Sequence, residues 1–243
     1  MTVVEHLEEL RRRLLISLVA VGVTSIVGFV FNQRILAFLV DPYCQAVASL
    51  PPSAQPPGNL RCSLATFEPT GPFLTFLKIG FFTGFLIALP IVLYQVWRFI
   101  TPGLTKRERR LSIPFVLSSM VLFAGGTVFA FAILPRGLTF LLSFAGDNLI
   151  PFPSADRYIS FLIFLILAFG LSFEFPLLLV FLAMADVITG QQMRNWRRYV
   201  YFGAVVFAAV ATPTQDPYTM LLMWIPLVLL YEGAILIVRL LKR

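Results

Sequence analysis

The chain has 243 residues, 58% of them hydrophobic and 13% charged, with a mean hydropathy of +0.87. That composition excludes burial in a soluble core and marks a polytopic membrane protein. The net charge of +7 and pI near 9.8 would suit a nucleic-acid binder, but the basic residues are dispersed instead of forming one stripe with interleaved aromatics, which argues against that class. A single histidine, His6, two cysteines and no glycine-rich phosphate loop give no basis for an enzyme, a metal site or a cofactor.

Long apolar runs occupy residues 14–31, 73–97, 113–134, 158–185, 199–211 and 218–238. They predict an all-α fold of six transmembrane helices in a single domain over residues 1–243. Sidedness follows from Lys and Arg near the span ends, which resist translocation. Arg11, Arg12, Arg13, Arg98, Lys106, Arg107, Arg109, Arg110, Arg194, Arg197, Arg198, Arg239, Lys242 and Arg243 fall on one side, against Arg34, Arg61, Arg136 and Arg157 on the other; Lys78 lies inside the second run. Both termini are therefore expected to be cytoplasmic.

Ahead of the first run, Glu8 and Glu9 stand four residues before Arg12 and Arg13. That order favours local helix pairing. Glu8 reads as such a pair. Glu9 has a second reading, a docking site for a cationic peptide, because carboxylates bind guanidinium in a bidentate geometry that Lys cannot copy. The first external connection, residues 32–72, carries an apolar stretch at 35–40, too short to span and expected at the interface. It also holds Cys44 and Cys62. Disulfides persist on the oxidising side of a membrane, so a bridge is expected, with two unpaired thiols as the alternative.

The second connection embeds Glu108 in a basic run, Lys106, Arg107, Arg109 and Arg110, and invites the same two readings as Glu9. In the fourth run Glu174 is the one carboxylate of an otherwise uncharged stretch. An ionisable group at membrane depth costs about 3 kcal/mol or more on insertion scales unless it is neutralised, paired or wetted. It is a functional candidate; a protonated Glu bonded to a neighbouring helix purely as structure is the alternative. The fifth run, 13 residues, gives only about 20 Å of helix against a hydrocarbon core of roughly 30 Å, so the hairpin of the last two runs is expected to be an assembly surface. Pro90, Pro176 and Pro226 fall inside even-numbered runs and should kink them into a concave face.

The strings HLEELRRRL (6–14), PIVLYQVWRFITPGLTKRERR (90–110), FGLSFEFPLLL (169–179) and IPLVLLYE (225–232) together resemble TatC, the multispanning core subunit of the twin-arginine protein translocase. The resemblance implies a six-span, N-in and C-in receptor in the cytoplasmic (inner) membrane of a prokaryote. Such a receptor binds twin-arginine signal peptides and exports folded cargo on the proton-motive force with TatA- and TatB-type single-span partners, self-associating in the complex. Carried over by motif position, Glu9, Arg11, Phe99 and Glu108 would form the signal-peptide site. Glu174 would be the intramembrane Glu of a concave face, Pro42 a residue of the external cap, and the turn with Thr212, Gln215 and Asp216 the meeting place for partner helices. In that turn Gln215 precedes Asp216 and Met220 stands where relatives carry Gln, a departure from the family pattern. The rival reading is a proton-coupled secondary transporter with Glu174 as its coupling site. It lacks a second mid-membrane ionisable residue to exchange with and evident inverted halves.

Overall fold

The computed structural model describes residues 3–52, 55–56, 62–100, 112–143, 153–211 and 217–241. Glu108, Thr212, Gln215 and Asp216 lie outside these. Among the described residues the chain is helical: α1 (Val3–Val30), α2 (Asn32–Ala48), α3 (Gly71–Ile100), α4 (Ser112–Ser143), α5 (Ala155–Met184), α6 (Gly190–Asn195), α7 (Arg197–Ala211) and α8 (Pro217–Leu241). Five of them, α1, α3, α4, α5 and α8, are long and apolar enough to cross a membrane. The sixth expected span is α7, whose 15 residues reach about 22 Å. Pro90, Pro176 and Pro226 sit inside α3, α5 and α8 as read from the sequence. Two further prolines, Pro42 in α2 and Pro135 in α4, are also helical. α4 consequently runs nine residues past position 134, and α2 takes in the 35–40 stretch as part of a 17-residue helix.

The chain forms two compact units. The first comprises Met1–Asp41, Cys62–Met120 and Phe152–Ile163. Its main contact is α1 against α3, made possible by small residues. A Cβ on Gly28 would lie 2.5 Å from the Gly80 carbonyl oxygen, one on Gly80 2.0 Å from the Phe29 ring, and one on Gly84 2.6 Å from the Ser25 Cα. Backbones therefore touch, the packing that replaces hydrophobic driving force inside lipid. Polar side chains bond to the α3 backbone: on this seam Thr24 Oγ1 donates to the Gly84 carbonyl at 2.6 Å, and at the start of α2 Asn32 Nδ2 donates to that of Phe76 at 3.0 Å. Near the start of α5, Lys78 Nζ pairs with Asp156 and donates to Ser160 Oγ at 2.8 Å. An isolated parallel bridge joins Ala65 to Ser154.

The second unit comprises Pro42–Arg61, Val121–Pro151 and Phe164–Arg243. Gly126 lies against the Phe169 carbonyl and Gly170 against the Phe123 ring, with Phe129 packed on Phe169 and Phe173 at centroid distances of 5.7 and 5.9 Å. α5 ends where Asp186 takes a left-handed φ of 56° and Val187 N–H donates back to Leu182 at 3.0 Å, a stop that Asp tolerates better than most residues. Thr189 and Gln192 then form a capping box that starts α6. α6 is tied to α8 by the buried Tyr231 hydroxyl, which donates to the Met193 carbonyl at 2.7 Å.

Candidate functional site

In the first unit the start of α1 meets the end of α3, and their side chains make one polar and aromatic cluster. His6, Glu9 and Arg13 share a face of α1 at helical spacing, as Gln95 and Phe99 do on α3. Arg13 Nε donates to Glu9 Oε1 at 3.1 Å and a second guanidinium nitrogen pairs with the same oxygen; Arg13 also reaches Gln95 Oε1 at 3.4 Å. The His6 ring stacks on Phe99, centroids 4.4 Å apart and planes 18° from parallel. Below them the Trp97 indole donates to Ser119 Oγ at 2.6 Å and packs on Phe115, which fixes the end of α3.

The Glu9 and Arg13 side chains are only 19% and 13% exposed. Arg13's hydrogen bond holds the Glu9 carboxyl below the usual carboxylate range, against a smaller opposing push from desolvation. Glu9 is therefore an anion at neutral pH. Its other oxygen, Oε2, is buried and meets no hydrogen-bond donor among the described residues. A buried acceptor without a donor costs about 1–3 kcal/mol, more when charged. The cluster thus presents one carboxylate oxygen that gains from an arriving donor.

Not every residue singled out from the sequence joins this cluster. Arg11 is exposed on another face of α1. Glu8 and Arg12 form no ion pair, whereas Glu9 and Arg13 do; the first two are solvent-exposed, where pairing gains almost nothing over hydration. Pro42 is buried in α2 beside Tyr43, whose phenol burial pushes up. Cys44 and Cys62 are disulfide-bonded. Glu174 lies within α5 in the second unit with its Oε1 buried.

Four residues to which the sequence assigns no role take one in the structure. His6 and Gln95 looked unremarkable, although each lies at i±3 or i±4 from a residue already chosen. Lys78 and Glu232 are also ionisable groups inside long apolar helices. Lys78 is paired with Asp156, and Glu232 accepts from Arg197 and from the Tyr201 hydroxyl, both at 2.5 Å. Their partners stand 78 and 35 positions away, beyond any local spacing rule.

Residues 5–226 match the family described as Sec-independent protein translocase protein (TatC). The chain is similar to the Sec-independent protein translocase protein TatC of Frankia casuarinae, 44% identical over 98% of this chain and 65% of that protein. With that of Aquifex aeolicus it shares 40% identity over 100% of this chain and 97% of the relative. The chloroplastic TATC of Arabidopsis thaliana is 37% identical, over 100% of this chain and 68% of that protein. A solved structure, titled a crystal structure of the twin arginine translocase receptor TatC, superposes with a TM-score of 0.79 at 40% identity, over 98% of this chain and 100% of that one. The chain spans somewhat under two thirds of the Frankia relative and nearly all of the Aquifex one.

Proposed function

Because the chain belongs to the TatC family of Sec-independent protein translocase proteins, we propose that it is the core receptor of a twin-arginine translocation system, binding twin-arginine signal peptides through the cluster around Glu9. The observation that carries this reading is the ionised Glu9 carboxylate, half desolvated, with Arg13 on one oxygen and no described donor on the other. A guanidinium can set one N–H on this oxygen and lay its flat face on a neighbouring aromatic ring, whereas an ammonium is a compact, strongly hydrated point charge, so the cluster favours arginine over lysine. Phe99, stacked on His6, offers a neighbouring aromatic face for the same group. Arg11 and Glu108 complete the proposed site.

In this reading the protein spans the cytoplasmic membrane of a prokaryote six times with both termini inside, α7 being the short span. It works by binding and assembly on the proton-motive force; the family is a protein translocase and not an enzyme. TatA- and TatB-type single-span subunits would meet α7, whose Tyr199, Phe202, Val206 and Val210 form an exposed apolar stripe, together with Thr212, Gln215 and Asp216. Pro42 would belong to the external cap. Glu174 would offer a polar docking point for a partner helix, with Pro176 shaping the concave face around it.

The test is binding of a labelled twin-arginine peptide to the purified full chain. Glu9→Gln should weaken it on the order of tenfold, the value of one charge-assisted hydrogen bond, and should erase the preference over a twin-lysine peptide. Unchanged affinity would refute the assignment. For Glu174, Glu174→Gln should preserve partner association and transport while Glu174→Leu impairs both, with either variant inserted normally. If Gln proved as inactive as Leu, ionisation itself would be the required property.

A further inference from the structure

Within the second unit, a cavity of about 470 Å³ is lined by Gln45 and Ser49 at the end of α2 and by Pro135, Arg136, Thr139 and Phe140 of α4. Its volume falls in the roughly 300–1,000 Å³ range of small-molecule sites. Ser49 Oγ and Thr139 Oγ1 lie 2.8 Å apart. One of the two hydroxyls donates to the other, and the remaining proton goes to a backbone carbonyl, that of Ala46 at 2.6 Å from Ser49 or that of Pro135 at 2.9 Å from Thr139. Both hydroxyls therefore keep oxygen lone pairs for a ligand that donates. Arg136 is exposed and makes no ion pair or hydrogen bond with a described residue, so its five donors are available. Among the described residues no carboxylate lines the cavity.

The cavity sits at a defined level of α4. Arg136 follows the apolar run 113–134 by two residues, which puts it where headgroups meet hydrocarbon. On the hydrocarbon side the helix exposes Ala132, Val128 and Gly125 in steps of four or three residues, one continuous face ending at Arg136. From Arg136 to Gly125 is about 16 Å, one leaflet of a core roughly 30 Å thick.

We propose that this cavity binds the headgroup of an anionic glycerophospholipid, its phosphate on Arg136, its headgroup hydroxyls on the Ser49 and Thr139 oxygens and an acyl chain along the exposed face of α4. A phosphodiester answers a guanidinium in bidentate geometry. A zwitterionic ethanolamine headgroup would instead bring an ammonium beside Arg136, with no carboxylate among the described lining residues to neutralise it. The assignment rests on α4 crossing the membrane and is independent of the signal-peptide cluster.

The experiment is native mass spectrometry of the full chain in detergent, loaded with equimolar dioleoyl phosphatidylglycerol and phosphatidylethanolamine, with inorganic phosphate as a separate arm. The wild type should retain phosphatidylglycerol over phosphatidylethanolamine on the order of tenfold, and Arg136→Gln should bring the two near parity. Arg136→Lys should recover part of the difference. Arg157→Gln, an equal loss of charge at another exposed position, should change nothing. Twin-arginine peptide affinity should be the same in wild type and Arg136→Gln, so failure here and failure of the receptor reading are separable. Equal lipid retention in wild type and Arg136→Gln overturns the proposal. So does an equal effect of Arg157→Gln, which would mean general electrostatics. Phosphate binding that depends on Arg136 without lipid discrimination would assign the cavity to a free anion and overturn the lipid reading.

Discussion

Two helix pairs in this chain, α1 with α3 and α7 with α8, are held by opposite means. The first is joined along its length, from His6 on Phe99 at one end to Phe29 on Phe76 at the other, with backbone against backbone at Gly28, Gly80 and Gly84. The second is fastened by side chains: Glu232 takes Arg197 and Tyr201, and the Trp224 indole donates to the Tyr201 carbonyl at 3.1 Å. The outer face of α7 remains exposed, Phe202 at 71% and Val210 at 76%. A binding cluster needs its groups held within a fraction of an ångström, which a continuous seam of small residues supplies. An assembly surface needs an uncovered face and can spare rigidity.

The largest expected effect breaks the first pair. Gly84→Leu places a side chain where the Ser25 backbone already stands, and backbone cannot yield as a flexible side chain can. The cost should be at least about 3 kcal/mol, seen as loss of a monodisperse species in detergent and of twin-arginine peptide binding together. Wild-type thermal stability in this variant would mean that the seam is not the platform for the Glu9 cluster. A smaller effect is expected at the clasp. Glu232→Gln removes the charge facing Arg197 but leaves an acceptor for Tyr201, and the pair is partly exposed, so about 1 kcal/mol is at stake. Hydrogen exchange should quicken in α7 and stay unchanged in α1. Equal deprotection of α1 would show that the two pairs unfold as one unit and are not held by separate means. The smallest effect on stability is expected for Phe202→Ala, within about 0.5 kcal/mol, with partner association reduced instead. A stability loss well beyond that would mean the face is not free for a partner.

The apolar spans were legible because hydrocarbon imposes length and composition together, leaving little freedom to disguise a crossing helix. The helical state of residues 41–48 was not. Asp41 and Pro42 argue for a turn by local preference, yet Pro42 is buried within α2, where packing outweighs the missing N–H. Pro135 and Arg136 similarly read as the end of a span, whereas the apolar side chains that follow, Leu138 among them, are buried and carry α4 onward. At the candidate site the Glu9 and Arg13 pair was visible as an i,i+4 spacing. The contributions of Gln95 and His6 depend on the register of α1 against α3, which small residues set and a single helix cannot reveal. Glu174 stood out as the one carboxylate of an apolar run and Glu9 by its spacing to Arg13, while Phe99 was reached through its string; Lys78 and Glu232 take their meaning from partners on other helices.

Lys78 also bears on how this protein is made. Its carboxylate partner, Asp156, is encoded 78 residues later, and at ribosomal speeds of about 5–20 residues per second that separation is roughly 4–16 s. Throughout that interval the nascent α3 carries an ammonium group in an apolar helix, ahead of the acid that will neutralise it. The α1 and α3 seam requires nothing beyond Phe99 and can close during the same interval. Early synthesis therefore yields a closed hairpin with one outstanding charge, and arrival of Asp156 gives the start of α5 an electrostatic reason to dock on a template already built.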